Sequence, residues 1–181
     1  MSRIQPVDSQ NTSEKSSQLL EGVKAKLGVV PNMFKVLAHS PAALESYLNF
    51  SGAVAKSSLA PSLREQIALT VGEANGCDYC LAAHSAIGKS VGLSEQQILD
   101  SREATAPDSK TEAVLQFSKE IVDKRGLIED RSVERLRELG VSDAEITEIV
   151  AATALNIFTN YFNHVTDPVV DFPKAPELAK S

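Results

Sequence analysis

A chain of 181 residues with 43% apolar and 23% charged side chains has the length and composition of one globular domain with a sizeable core, which excludes fibrous and disordered classes. Eighteen Lys and Arg against 24 Asp and Glu leave a net charge of −6, and no basic cluster is denser than the short stretch DRSVERLRE at 130–138, so no nucleic-acid partner is expected. No apolar run approaches the ~20 residues that span a bilayer, and the polar stretch MSRIQPVDSQNTSEKSS lacks the apolar segment of a secretory signal; the expectation is a cytoplasmic protein with no membrane partner.

Between residues 13 and 165 the apolar positions recur with helical period, and no alternating β-branched run argues for a sheet, so the expected fold is all-α. Residues 1–12 read as an N-terminal arm, poorly ordered as chain ends usually are. Residues 13–167 read as the helical domain and 168–181 as a Pro-rich tail.

Helices are expected near 13–27, 32–39, 41–57, 62–75, 77–91, 94–102, 109–125, 131–139 and 142–165. In chain order, Ser40-Pro41 supplies an N-cap followed by proline at the first helical position, where its missing amide costs nothing. Leu44, Tyr47, Leu48, Ser51 and Val54 then share one face. Ser62 with Glu65, Ser94 with Gln97 and Ser142 with Glu145 each match a capping box, in which two side chains satisfy orphan amides reciprocally. Gly76, Gly92, Gly126 and Gly140 stand where helices should stop, because glycine accepts the left-handed conformation of a C-terminal cap. SLREQIALTV at 62–71 and SDAEITEIVA at 142–151 echo each other weakly. The last long helix is apolar on more than one face, with Ile146, Ile149, Val150 and Ile157 joined by Phe158, Tyr161 and Phe162; it is central or lies at a subunit interface. Three prolines within nine residues, at 168, 173 and 176, forbid helix in the tail and suggest an extended segment over the body or a neighbouring subunit.

The chemistry concentrates in NGCDYCLAAH at 75–84, which holds both cysteines and one of three histidines. Asn75-Gly76 ends one helix, so Cys77 opens the next and Cys80 lies one turn in. Free amides and the helix dipole at that end favour negative charge and lower a thiol's pKa. Residues three or four apart on a helix are neighbours, which puts Cys80 within reach of both Cys77 and His84. Cα atoms three apart fall in the range of about 4.4–6.8 Å that a disulfide needs, so the pair can open and close with little backbone movement. An imidazole beside the pair is a natural acid and base near neutral pH.

Rival readings weigh less. Haem attachment needs His directly after the second Cys, where Leu81 stands. Zinc would need a fourth ligand, and there is no second Cys pair. A thioredoxin-like site would follow a strand, and none is visible. The plainest alternative treats Cys77 and Cys80 as small packing residues and His84 as a core histidine.

Glu65, eleven residues, Cys77-Asp78-Tyr79-Cys80 and then Leu81-Ala82-Ala83-His84 resemble the core motif of the alkylhydroperoxidase AhpD and carboxymuconolactone decarboxylase superfamily. LGVVPNMFKVLAHSPAALESYLNF at 27–50 and NHVTDPVVDFP at 163–173 resemble the flanks of its single-core, peroxidase-related branch, so the likeness covers most of residues 25–175. The resemblance implies an all-helical subunit in trimers or hexamers, and a thiol-dependent peroxidase acting on organic hydroperoxides through a redox-active Cys77–Cys80 pair. It also implies an external dithiol or protein reductant and no cofactor or resident metal. The decarboxylase branch lacks the Cys pair, so the chain sides with the peroxidases.

By the same resemblance Glu65 joins His84 in a proton relay. The residues alone do not choose it: Ser62 already explains it as a cap, and twelve positions along one continuous helix would place it about 120° from Cys77. Only a break at Gly76 brings it back. Glu73, four residues before Cys77, is the rival carboxylate and reads as a solvated side chain; Tyr79 is a possible supporting residue with an equal claim as packing. His39 and His164 receive no chemistry, although His164 could cap the last helix. Helix dipole favours Cys77 as the attacking thiol and proximity to His84 favours Cys80; Cys80 is preferred. The alternatives are a disulfide reductase or redox relay serving another protein, and a non-catalytic or zinc-holding module of the same fold.

Overall fold

The structure is a computed structural model that describes residues 2–8 and 12–178; the expectations for residues 1 and 9–11 of the arm and 179–181 of the tail lie outside the described residues. Among the described residues there are nine α-helices and no strand: α1 (Glu14–Leu27), α2 (Asn32–Leu37), α3 (Pro41–Val54), α4 (Pro61–Ala74), α5 (Asp78–Ser90), α6 (Glu95–Arg102), α7 (Ser109–Asp123), α8 (Asp130–Glu138) and α9 (Asp143–Thr166). No helix among them is long and apolar enough to cross a membrane.

Helix α4 is the hub, packed against α5, α6, α7 and α9. Its run from Gln66 to Gly72 is buried on every side, which removes it from the usual amphipathic pattern. One core cluster joins Ile67 and Val71 of α4 to Val114 and Leu115 of α7, Leu136 of α8 and Ile149 of α9. Full burial of each such side chain contributes on the order of 1.5–3 kcal/mol. A second cluster gathers Leu20, Met33, Leu37 and Leu44 from α1–α3 around Cys77, Tyr79 and Cys80. The two cysteines are therefore set into a core between the first three helices and the rest.

The caps follow the sequence with one exception. Ser94 and Ser142 form complete capping boxes with Gln97 and Glu145, and Ser40 caps α3 by accepting from the Ala43 amide. Ser62 does not cap α4. The helix starts one residue earlier, with Pro61 at its first position and Ala60 as an N-cap without side-chain bonds. Proline's fixed φ suits that position better than a serine one residue later, and Glu65 is left free to point elsewhere. The echo between 62–71 and 142–151 therefore does not extend to their caps.

The described segments near both ends lie on the body. Arg3 and Ile4 donate backbone N–H to Thr166 O, and the Arg3 guanidinium donates to His164 O at 2.7 Å, so residues 2–8 cap the last turn of α9. That role was expected of His164, which instead reaches the Gly76 carbonyl at 3.3 Å. Helix α9 ends at Asp167, held at φ 50 and ψ 55; the following Pro168 disfavours the right-handed helical conformation for Asp167, and aspartate tolerates the left-handed one. The tail then runs back as irregular chain over α2 and α5.

Candidate active site

Helix α4 closes on Asn75 with Gly76 at φ 65; Gly76 N–H donates to Glu73 O and Cys77 N–H to Gly72 O, both at 2.9 Å. This paired closure requires a left-handed residue at position 76, which glycine adopts without penalty. The chain turns at once into α5, with Cys77 as N-cap: its sulfur accepts from the Cys80 amide at 3.3 Å. Cys77 and Cys80 are joined in a disulfide with Cα atoms 5.3 Å apart. Cys77 is 1% exposed and Cys80 3%.

Because α5 folds back along α4, residues 19 apart meet. His84 Nδ1 and Glu65 Oε2 lie 2.7 Å apart, with side-chain exposures of 22% and 17%. The carboxylate that sequence logic tied to Ser62 is thus directed at the imidazole. A carboxylate on Nδ1 orients the ring, keeps a proton on that nitrogen and leaves Nε2 as the position that takes up and returns a proton.

These groups open on a common cavity of about 680 Å³. Cys80, His84 and Glu65 line it, and Cys77 does not. Most of the remaining wall is apolar, with Phe34, Tyr47, Leu155 and Phe172 among its members, while Gln18, Lys26 and Arg64 supply polar groups. Burial pushes the Tyr47 phenol up to about 12, against a hydrogen bond with Ser51 and reinforced by the nearby Glu65 charge, so it stays neutral.

The other marked residues divide clearly. Tyr79 accepts from Met33 N–H at 3.1 Å and donates to Asp171 Oδ1 at 2.7 Å, while Phe172 meets its ring edge-on. Asp171 Oδ2 in turn accepts from Asn32 N–H at 2.8 Å. The first amides of α2, which Pro31 cannot cap, are satisfied by two distant segments, and Tyr79 is a clamp between them. Burial and the Asp171 carboxylate hold its phenol well above the ordinary range. Glu73 pairs with Arg102 Nε at 2.7 Å, away from His84, and His39 bonds Gln5 O at 2.8 Å. No group of three or more His, Cys, Asp or Glu able to hold a metal ion occurs among the described residues.

Sequence reasoning missed Asn163. It lies on α9, 5% exposed, with its Nδ2 donating to Cys80 Sγ at 3.3 Å. Nothing in its own segment points to the contact, since its partner is 83 residues away.

The Carboxymuconolactone decarboxylase family model matches residues 41–122, from the start of α3 through most of α7, the stretch that carries Glu65, both cysteines and His84. That stretch matches the family's core, and the all-helical fold around it is AhpD-like. Among solved structures, a peroxidase-related protein with an alkylhydroperoxidase AhpD core from Ralstonia eutropha JMP134 is similar over 94% of this chain and 92% of its own, with a TM-score of 0.84 and 24% identity. A peroxidase-related protein from Silicibacter sp. TM1040 is similar over 92% and 91%, with a TM-score of 0.81 and 25% identity. The debrominase Bmp8, in a cysteine-to-alanine form complexed with 2,3,4-tribromopyrrole, shares the fold over 93% and 91%, with a TM-score of 0.80 and 19% identity. Comparison with curated proteins gives no match. The AhpD-like fold explains why a CxxC pair stands at a helix start with no strand before it.

Proposed function

We propose that the protein is a thiol-dependent peroxidase that reduces organic hydroperoxides, with Cys80 as attacking thiol, Cys77 as resolving thiol and Glu65–His84 as proton relay. The observation that carries the reading is that Cys80, but not Cys77, lines the cavity shared with His84 and Glu65. In the reduced protein the Cys80 thiolate attacks the terminal oxygen of the hydroperoxide. An S–O bond forms as the O–O bond breaks, and the leaving alkoxide takes a proton from His84 to become the alcohol. The Cys77 thiol then attacks the Cys80 sulfenic acid, releasing water and leaving the disulfide. The dithiol loses two electrons and the hydroperoxide gains them; an external dithiol restores the pair by exchange. The apolar wall favours hydroperoxides with an apolar body over hydrogen peroxide.

Burial of both sulfurs weighs against a relay that exchanges disulfides with large protein partners, because the attacking thiolate must reach a sulfur along the S–S axis. A second reading, reductive dehalogenation of a halogenated aromatic, uses the same dithiol: two thiols become a disulfide, C–Br becomes C–H, and bromide and a proton leave. The apolar cavity beside Cys80 favours it.

The outer face of α9, where Phe158, Tyr161 and Val165 are 42%, 56% and 66% exposed, supports a homo-oligomer, to be tested by light scattering. A cytoplasmic setting supplies the reducing pool the cycle needs. The decisive experiment is a thiol count on the reduced protein before and after one equivalent of cumene hydroperoxide or of a bromopyrrole, with peptide mass spectrometry. Rapid loss of two thiols with hydroperoxide alone supports the peroxidase; loss with the bromopyrrole alone supports the dehalogenase; two free thiols after minutes with both overturn the enzyme reading.

A further inference from the structure

We propose that Asn163 is a catalytic residue of this site: its Nδ2 holds Cys80 as a thiolate, and its Oδ1 receives the O–H of the hydroperoxide oxygen that Cys80 attacks. The proposal rests on the peroxidase reading for its second half only.

Asn163 is one of a row of polar side chains on the buried face of α9, with Thr153, Asn156, Thr159 and Asn160. Two of its neighbours bond within the helix, and a third bonds across the core. Asn156 Nδ2 donates to Ala152 O at 2.9 Å, Thr159 donates to Asn156 O at 3.0 Å, and Asn160 Oδ1 accepts from Asn75 at 2.8 Å. Asn163 alone in the row spends its amide N–H on a sulfur, and that sulfur is Cys80 rather than Cys77. The two sulfurs thereby have different donors: the Cys80 backbone N–H for Cys77 and the Asn163 amide for Cys80.

The orientation of the amide follows from chemistry. A disulfide sulfur or a thiolate offers lone pairs and no proton, so the NH2 side must face it and the carbonyl side must point away. Oδ1 is buried and has no partner among the described residues, and Asn163 lines the cavity. A buried carbonyl oxygen without a donor is a cost that a bound O–H removes. A hydroperoxide carries its single donor on its terminal oxygen, the atom the thiolate must reach. An O–H directed to Oδ1 sets that oxygen beside Cys80 Sγ, with the rest of the molecule in the apolar cavity and its second oxygen free to face His84. After transfer the same O–H is that of the Cys80 sulfenic acid and keeps its acceptor until Cys77 displaces it as water. A hydrogen bond to the charged form lowers a thiol's pKa.

The test uses the full-length reduced protein and two variants, Asn163→Ala and Asn163→Asp. Iodoacetamide alkylation of each cysteine is followed against pH by mass spectrometry, without peroxide, and the rate with cumene hydroperoxide is measured by stopped flow. Both variants should raise the pH midpoint of Cys80 alkylation by about one unit or more, while that of Cys77 stays in place. Asn163→Ala should slow the hydroperoxide reaction by a larger factor than alkylation at the same pH, because alkylation needs only the thiolate. An unchanged Cys80 profile in both variants overturns the donor role. Equal losses in the two reactions overturn the acceptor role. Retained helical circular dichroism and retained disulfide formation with diamide show that the variants are folded, and if one fails, the other carries the comparison. Should the wild type ignore hydroperoxide while the alkylation profiles shift as expected, the peroxidase reading and the acceptor role fall and the thiolate donor stands.

Discussion

Replacing Tyr79 by phenylalanine separates scaffold from chemistry at the residue between the two cysteines. The hydroxyl satisfies the Met33 amide at 3.1 Å and donates to Asp171 at 2.7 Å. Its loss leaves a buried helix-N-terminal N–H unpaired, costing about 1–3 kcal/mol, and removes a bond to a solvent-exposed carboxylate worth roughly 1 kcal/mol after screening. The ring contact with Phe172 survives. A total of about 2–4 kcal/mol corresponds to a fall in Tm of roughly 4–15 °C for a domain of this size. The phenol's raised pKa means that wild-type stability from this bond is fully present below the unfolded value near 10.0 and is lost as pH rises beyond it, so the gap should be constant from pH 6 to 9. The assays are calorimetry across that range and limited proteolysis of the tail, which loses one of its fastenings to α2. Hydroperoxide turnover at 25 °C should stay within about threefold of wild type, because the hydroxyl has no contact with either sulfur. An unchanged Tm, or lost turnover at full stability, would refute the clamp and return Tyr79 to the reaction.

Cys80→Ser should abolish hydroperoxide turnover with helical content intact, since a hydroxyl near its free pKa is a far weaker nucleophile; unchanged turnover removes Cys80 from the mechanism. Glu65→Gln and His84→Ala should each slow the reaction about 10²-fold near neutral pH, with partial recovery for His84→Ala at alkaline pH as the thiol ionises unaided; a loss that alkali cannot restore argues for a structural histidine. Asp108 accepts from the Thr111 amide, which together with other local bonds holds its carboxyl below 3.8. Asp108→Ala should therefore lower stability by about 1 kcal/mol at pH 7. That contribution is present above the unfolded carboxyl's pKa and lost as pH falls through the folded one, so denaturation curves of variant and wild type should converge in acid.

The all-α class, the order of helices and the location of the thiol site were legible because they depend on local physics. Prolines at first positions, capping boxes at Ser94 and Ser142, and left-handed glycines act within a turn of their own position, and the CxxC lies within one such segment. The Ser62–Glu65 box shows where local pattern misleads. The same residues fit two partners, and a helix start shifted to Pro61 together with the fold-back at Gly76 gave the carboxylate to His84 instead. Resemblance named Glu65 where residue spacing alone could not.

What the sequence by itself determined was the set of helices and the short segment that carries both cysteines and His84. The tertiary structure alone decided which sulfur faces the cavity, that Tyr79 serves α2 and the tail, and that Asn163 stands against Cys80. Those relations join positions 46, 83 and 92 residues apart. A side chain's hydrogen-bond capacity is written in its type, but its partner across the core is set by how α4, α5 and α9 pack, and no periodicity along the chain encodes that.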